Sequence, residues 1–274
     1  MKLKHFLLFV LCVSLFNCET EPTDTPDPEK DAPAEETDNT LIKRIVETYE
    51  NGEKYTLDFQ YDGNKLISVF SNDGDKNDFT YENDLLTRVD QYFEGKLEGY
   101  VLLSYNSENT LTEYTEYLLD IEGVGKIAYR NELVYNSDNS TKRYIYKGDF
   151  ENQNDLTFTQ TISFMGNNIV SNIDSSDDFA STYTLDDKNG IYKNTYAIEI
   201  LNLLNDTEFS IILLGNANNV TKLVDFYNGV TDTDTYTFTY NDSNYPIEAE
   251  LLSSTTWGGG IVPDTKSIIE YFYE

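Results

Sequence analysis

Histidine and cysteine are almost missing from this chain. His5 is the single histidine, and Cys12 and Cys18 are the two cysteines. Residues 19–274 contain neither type. Within that span there can be no Ser-His-Asp triad, no Cys-His pair and no His-ligated zinc centre. Nor can it close an internal disulfide. Basic residues are scarce as well, with 19 Lys and Arg against 49 Asp and Glu. Such a surface repels DNA, RNA and anionic lipid headgroups, which argues against a nucleic-acid partner. It favours cations, cationic peptides or neutral glycans over acidic ligands, and it also keeps a protein dispersed. After the first eighteen residues, no apolar run is long enough for a membrane-spanning helix.

What the chain does have begins at its N-terminus. Lys2 and Lys4 precede an apolar run over residues 6–16, FLLFVLCVSLF. A charged start followed by a run of this length reads as a signal peptide over residues 1–17. Its end, Leu15-Phe16-Asn17-Cys18, resembles the lipobox of bacterial lipoproteins. The resemblance implies that Cys18 becomes the first mature residue, carries acyl chains and anchors an outer-membrane lipoprotein of the cell envelope, on either its surface or its periplasmic face. Two or more acyl chains give stable attachment where one is marginal. The plainer alternative is an ordinary secretory signal. Loss of residues 1–17 removes His5, Cys12 and two lysines, leaving 17 basic residues against 49 acids, a balance of −32.

Residues 19–40, ETEPTDTPDPEKDAPAEETDNT, hold four of the six prolines, nine acids and one lysine. With no large apolar side chain to bury, residues 18–40 read as an acidic, extended tether. From Leu41 the texture changes. The 234 residues of 41–274 are enough for one β domain with its own core.

That domain is repetitive. Tyr55-Thr56-Leu57-Asp58-Phe59-Gln60-Tyr61 alternates apolar and polar residues, Asp62-Gly63-Asn64-Lys65 supplies a turn, and Leu66-Ile67-Ser68-Val69-Phe70 runs back. Strand, turn and strand make a β-hairpin. The phrase returns at residues 79–89, 103–111, 133–139, 162–170, 183–190, 212–223 and 238–244, and a last strand runs from 268 to 273. Phe59-Gln60-Tyr61-Asp62-Gly63-Asn64-Lys65-Leu66 resembles the tyrosine-aspartate (YD) repeat of Rhs-type proteins, and the whole is similar to uncharacterised Bacteroidota lipoproteins built from such hairpins. The expected fold is all-β: a curved antiparallel meander of about eight tandem hairpins, too few for the closed shells that longer arrays of these repeats form. One segment differs. Ala197, Ile200, Leu201 and Leu204 are spaced as on a helix, which predicts a short helix near 196–205 covering a face or end of the sheet.

Three features bear on function. Asp73, Asp75 and Asn77 form a D-x-D-x-N run, with Asp84 at the twelfth position of an EF-hand-like count. Alternate oxygens on a tight loop can wrap calcium, although a polar hairpin connection would read the same way. Trp257, the single tryptophan, precedes Gly258-Gly259-Gly260, and a loop tryptophan can stack on a sugar or anchor a partner. Rows drawn from the 22 tyrosines either build the core or face solvent as an aromatic platform. The expectation is a lipid-anchored, non-catalytic module that binds an extracellular glycan or polypeptide, with no cofactor unless calcium binds. A structural component of an envelope complex is the second reading, and a carboxylate-based hydrolase is the third.

Overall fold

A computed structural model describes residues 38–121, 125–176, 178–204, 216–258 and 260–274. The signal segment, Cys18 and the tether up to residue 37 lie outside the described residues, as does the expected strand at 212–214. The strands in chain order are β1 (Ile42–Tyr49), β2 (Lys54–Asp62), β3 (Lys65–Ser71), β4 (Asp75–Glu82), β5 (Leu85–Phe93) and β6 (Lys96–Tyr105). Then come β7 (Leu111–Ile121), β8 (Gly125–Tyr135), β9 (Ser140–Gly148), β10 (Gln153–Met165), β11 (Asn168–Asp174) and β12 (Phe179–Leu185). After helix α1 (Ile198–Leu204) follow β13 (Val220–Tyr227), β14 (Val230–Tyr240), β15 (Pro246–Trp257), the two-residue β16 (Gly260–Ile261) and β17 (Thr265–Tyr273).

Each strand pairs antiparallel with the next as far as β15, β15 pairs with β17, and β17 pairs with β1. The meander therefore closes into a barrel of sixteen strands, with β16 a short appendage on β15. This corrects the expectation of an unclosed curved meander. A sheet whose strands all twist with one hand curls as strands are added, and closing the ring removes both unpaired edges. Two of the phrases are reassigned as well. The phrases at 183–190 and 212–223 are not two hairpins: β12 and β13 pair with each other across one insertion, residues 186–219. Seven hairpins plus the β17–β1 closure make eight.

The turns explain the repeating polar phrases. Asn83 and Asp84, Glu94 and Gly95, and Asn228 and Gly229 all adopt positive φ, as the tight two-residue hairpin turn requires. Longer turns place Asn109, Asn139 or Asn244 in the left-handed region. The Asn106 side chain accepts from the backbone N–H groups of Glu108 and Thr110, and Asn241 does the same for Ser243 and Tyr245.

Three of the tyrosines that end these phrases share a task. The Tyr105 hydroxyl donates to the Leu86 carbonyl at 2.7 Å, Tyr135 to Leu111 at 2.8 Å, and Tyr273 to Pro246 at 2.7 Å. Each ties the end of one strand to the start of the strand before it. Tyr105 and Tyr273 pack on a core that includes Ile45, Leu57, Phe59, Leu66, Val89 and Ile269, while Tyr135 stands exposed at the barrel end. The outer face carries other tyrosines, such as Tyr100 stacked on Tyr117 and Tyr146 under Arg130. The rows are thus divided between core and surface.

Burial lifts many phenols. Tyr55 is pushed up to about 12, by burial first and then by Asp73 and Asp75. Burial raises Tyr61, Tyr81, Tyr236 and Tyr273 further still. A raised phenol disfavours the ionised form in the folded state. Its contribution to stability is complete below the unfolded value of about 10 and is lost as pH climbs through the folded values. Stability is therefore expected to hold to about pH 10 and then fall steeply. Phenolate absorbance should rise together with loss of the folded signal, and gradual phenol ionisation with the barrel still folded would contradict this.

The wall has its apolar core inside, and its outer face mixes charged and polar side chains with exposed apolar ones such as Leu102, Val134, Phe226, Ile268 and Phe272. Outward positions carry Arg44 bonded to Asp58 at 2.6 Å, Lys76 to Asp78 at 2.7 Å, Arg88 to Asp90 at 2.6 Å, and Arg130 between Glu113 and Glu132. On β14 the outward residues are Thr231, Thr233, Thr235, Thr237 and Thr239, the last two facing Glu250 and Glu248 on β15. A membrane-spanning barrel needs an outward apolar band roughly 25 Å tall, and each Arg or Lys at its midplane costs about 2–4 kcal/mol. The ion pairs on this outer face interrupt any such band.

Candidate functional site

The two barrel ends differ. At one end the insertion between β12 and β13 lies against the turns. The Tyr196 N–H donates to the Asn64 carbonyl, its hydroxyl to the Asp84 carbonyl, and the Asn189 amide to the Ser243 carbonyl. Asn216 and Asn218 bond to Ile169 and Asn168. The expected helix is present as α1, somewhat shorter than residues 196–205, and it covers this end. Its residues Ile198, Leu201, Asn202, Leu203 and Leu204 are buried, so it is enclosed on most sides.

At the opposite end, among the described residues, only short connections border the barrel. We call this end the mouth. Strand parity fixes which side chains face inward here, because Tyr183, Tyr236, Leu251, Ile269 and Ile45 belong to the core or pack on it. Moving outward from them by twos brings up Ser181, Asp225, Asp232, Ser253, Ser267 and Glu47. One step further, at the rim, Phe179, Tyr227, Val230 and Trp257 stand in register on four adjacent strands.

The mouth thus has an aromatic rim above an acidic and hydroxylated wall. Ser181 donates to Asp225 at 2.5 Å, Ser253 to Asp234 at 2.5 Å, and Ser267 to Glu47 at 2.6 Å. Asp225 and Asp232 sit directly opposite each other, and the Asp232 Oδ1 oxygen is enclosed without a hydrogen-bond partner. Burial, and after it the carboxylates of Asp234, Glu47 and Asp225, push up the phenol of Tyr236 beneath them. No Lys or Arg occupies an inward position on β12 to β15 or β17 in this wall. A cavity of about 390 Å³ opens beside it, lined in part by Glu47, Tyr49, Glu50, Ser253 and Ser267, with Lys266, paired to Glu250, the one cation in its lining among the described residues. Such a wall attracts positive charge, and exposed rings beside it can take a cation on their faces.

Trp257 is 57% exposed and ends β15 at this rim, paired with Val230 and Gly260 rather than lying in a free loop. The sequence reading singled it out but missed the acids beneath it. Their signal is legible in Thr231-Asp232-Thr233-Asp234-Thr235, because alternation on a strand puts both acids on one face.

The D-x-D-x-N residues are also near the mouth, in a different part of the wall. Asp73 lies in the β3–β4 turn, where the Ser71 hydroxyl donates to it. Asp75 and Asn77 face inward on β4, and Asn77 is buried. They do not share a twelve-residue loop. Asp84 stands past the other end of β4, bonded to Lys65 at 2.5 Å. Burial, with the adjacent Asp73, raises the Asp75 carboxyl above the ordinary range.

No family model matches the chain, and no curated protein matches it. Among solved structures it is similar to a porin-like protein from Bacteroides uniformis. That likeness has 14% sequence identity and a TM-score of 0.40, and covers 85% of this chain and 96% of the other.

Proposed function

We propose that this chain is a non-catalytic binding module of the bacterial cell envelope, held at a membrane by lipid on Cys18. The barrel stands in water and offers its mouth to an extracellular ligand. The ion pairs on its outer wall support tethering over spanning. The observation that carries the binding reading is the inner wall at the mouth, where Asp225, Asp232, Asp234 and Glu47 lie beneath the rings of Tyr227 and Trp257. Of a glycan and a polypeptide, that wall favours a polypeptide rich in Lys or Arg.

The test is a titration of the full chain with basic, neutral and acidic peptides, read by the emission of its one tryptophan and by melting temperature. Basic peptides should shift Trp257 emission saturably and raise the melting temperature by mass action. Asp232→Asn with Asp234→Asn should weaken binding about tenfold, and added salt should weaken it further. A ligand that binds tightly without moving Trp257 emission would place the site elsewhere. Calcium belongs in the same titration: if Asp73, Asp75 and Asn77 hold it, calcium raises the melting temperature and Asp75→Ala removes the rise.

A further inference from the structure

A second cleft lies at the opposite end of the barrel, between α1 and the turns β6–β7, β8–β9 and β10–β11. Its volume is about 450 Å³, within the roughly 300–1,000 Å³ range of small-ligand sites. The floor is apolar, with Phe164, Ile200 and Leu203. One wall is the ring of Tyr135, 48% exposed and fixed by its hydroxyl bond to the Leu111 carbonyl. An exposed aromatic face held rigidly in place is a stacking surface formed before any ligand arrives.

The polar groups around it are amides, hydroxyls and one carboxylate. Asn109 and Asn139 line the cleft, each in a left-handed conformation with φ of 60° and 62°. Neither amide side chain bonds to another part of the described protein. The Ser140 hydroxyl also lines the cleft but is already engaged, donating to Asp138 at 2.7 Å and accepting from the Asn136 amide at 3.0 Å. Glu199 is the one charged group in the lining, exposed and in no ion pair, and no Lys or Arg lines the cleft among the described residues. With no cation in the lining and a strongly acidic protein around it, an anion is repelled. A purely apolar ligand would leave the amides and the carboxylate desolvated and unpaired.

We propose that this cleft binds a neutral saccharide of one or two pyranose rings. The apolar face of the sugar would lie on Tyr135, with its hydroxyls bonded to Asn109, Asn139 and Glu199. Amides both donate and accept, and a carboxylate accepts from adjacent hydroxyls, which is the set of partners a ring of alcohols requires. The inference does not depend on the mouth: the two sites stand at opposite ends and select opposite chemistries.

The asparagines allow a clean test. Glycine adopts positive φ without strain, so Asn109→Gly with Asn139→Gly removes both amides and keeps both turns. Calorimetric titration of the full chain with a panel of neutral mono- and disaccharides should find saturable binding at about 1 mM or tighter. The double glycine variant should lose about tenfold or more with its melting temperature held, while Trp257→Ala should leave the affinity unchanged. If the double variant melts early, Glu199→Gln, an exposed change on α1, serves as the second probe and should weaken binding likewise. The proposal fails if no neutral saccharide binds, if only amine-bearing compounds bind, or if the variants that fold keep full affinity.

Discussion

A chain ending at Asp264, without β17, is expected not to form the barrel. β17 bridges two walls: its residues pair with β15 from Glu248 to Ser253 and with β1 from Ile42 to Tyr49. It brings Ile269 and Tyr271 into the core. Its loss leaves two long unpaired edges with apolar inner faces, the arrangement that native sheets avoid because it templates aggregation. The deletion should abolish the cooperative thermal transition, expose dye-binding apolar surface and drive association. Ile269→Arg is the milder counterpart. It puts a charge among apolar neighbours at a position 4% exposed, at a cost of several kcal/mol. A truncated chain that melted cooperatively as a monomer would mean that the ring does not depend on this strand.

That dependence explains which parts of the fold were legible in the sequence. A hairpin is local: Tyr61-Asp62-Gly63-Asn64-Lys65 declares its turn within a few residues, and most of the expected hairpins fall where strands pair. Closure is not local. Ile42 faces Tyr273 across 231 positions, and neither strand carries a mark naming its partner. The insertion was hidden for a related reason. Leu185 and Val220 are register partners, but the 34 residues between them contain their own apolar runs and asparagine-rich turns, so they read as further repeats. Strand parity was visible throughout, while its meaning was not. Alternation tells that Asp232 and Asp234 share a face. Only the closed ring tells that this face is the inside.

Tyrosine shows the same division. Its abundance suited both a core and an exposed platform, and periodicity alone cannot choose between them. The closed barrel makes the choice by strand parity, and at Tyr105, Tyr135 and Tyr273 a hydroxyl bond to a carbonyl about 20 residues earlier in the chain holds the phenol ring in place. A buried phenol usually finds a partner, and for these three the carbonyls at the strand starts supply it, while the buried hydroxyls of Tyr61 and Tyr81 have none among the described residues. Replacing tyrosine by phenylalanine at such a position would keep the packing and leave a carbonyl short of a donor, a modest loss of about 1 kcal/mol. The larger effects lie where one side chain holds several partners.

Arg143 is that side chain. It faces inward on β9 and is 2% exposed. Its guanidinium donates to Gln160 on β10, to the Tyr114 hydroxyl on β7 at 2.7 Å, and to the Leu203 carbonyl in the last turn of α1 at 3.3 Å. Tyr114 donates to the same carbonyl at 3.2 Å. Carbonyls in the last helical turn lack intrahelical partners and sit at the negative end of the helix dipole. A seven-residue helix is marginal alone, so these two donors do much to hold the lid in place. Arg143→Met keeps comparable bulk but strips Gln160, Tyr114 and Leu203 of a charged donor at once. The expected cost is about 3 kcal/mol, since each buried group left unpaired costs about 1–3 kcal/mol and part of this is recovered by relaxation. Urea unfolding would read it as a lower midpoint with an unchanged slope. Hydrogen exchange should add a regional signature, with amides of residues 186–204 losing protection before those of β2 to β5. Combining Arg143→Met with Tyr114→Phe should cost less than the sum of the two, because they share the Leu203 carbonyl. If Arg143→Met instead proved neutral, the cost of dehydrating the guanidinium would already cancel its bonds, and the lid would be held by the packing of Ile198, Leu201 and Leu204.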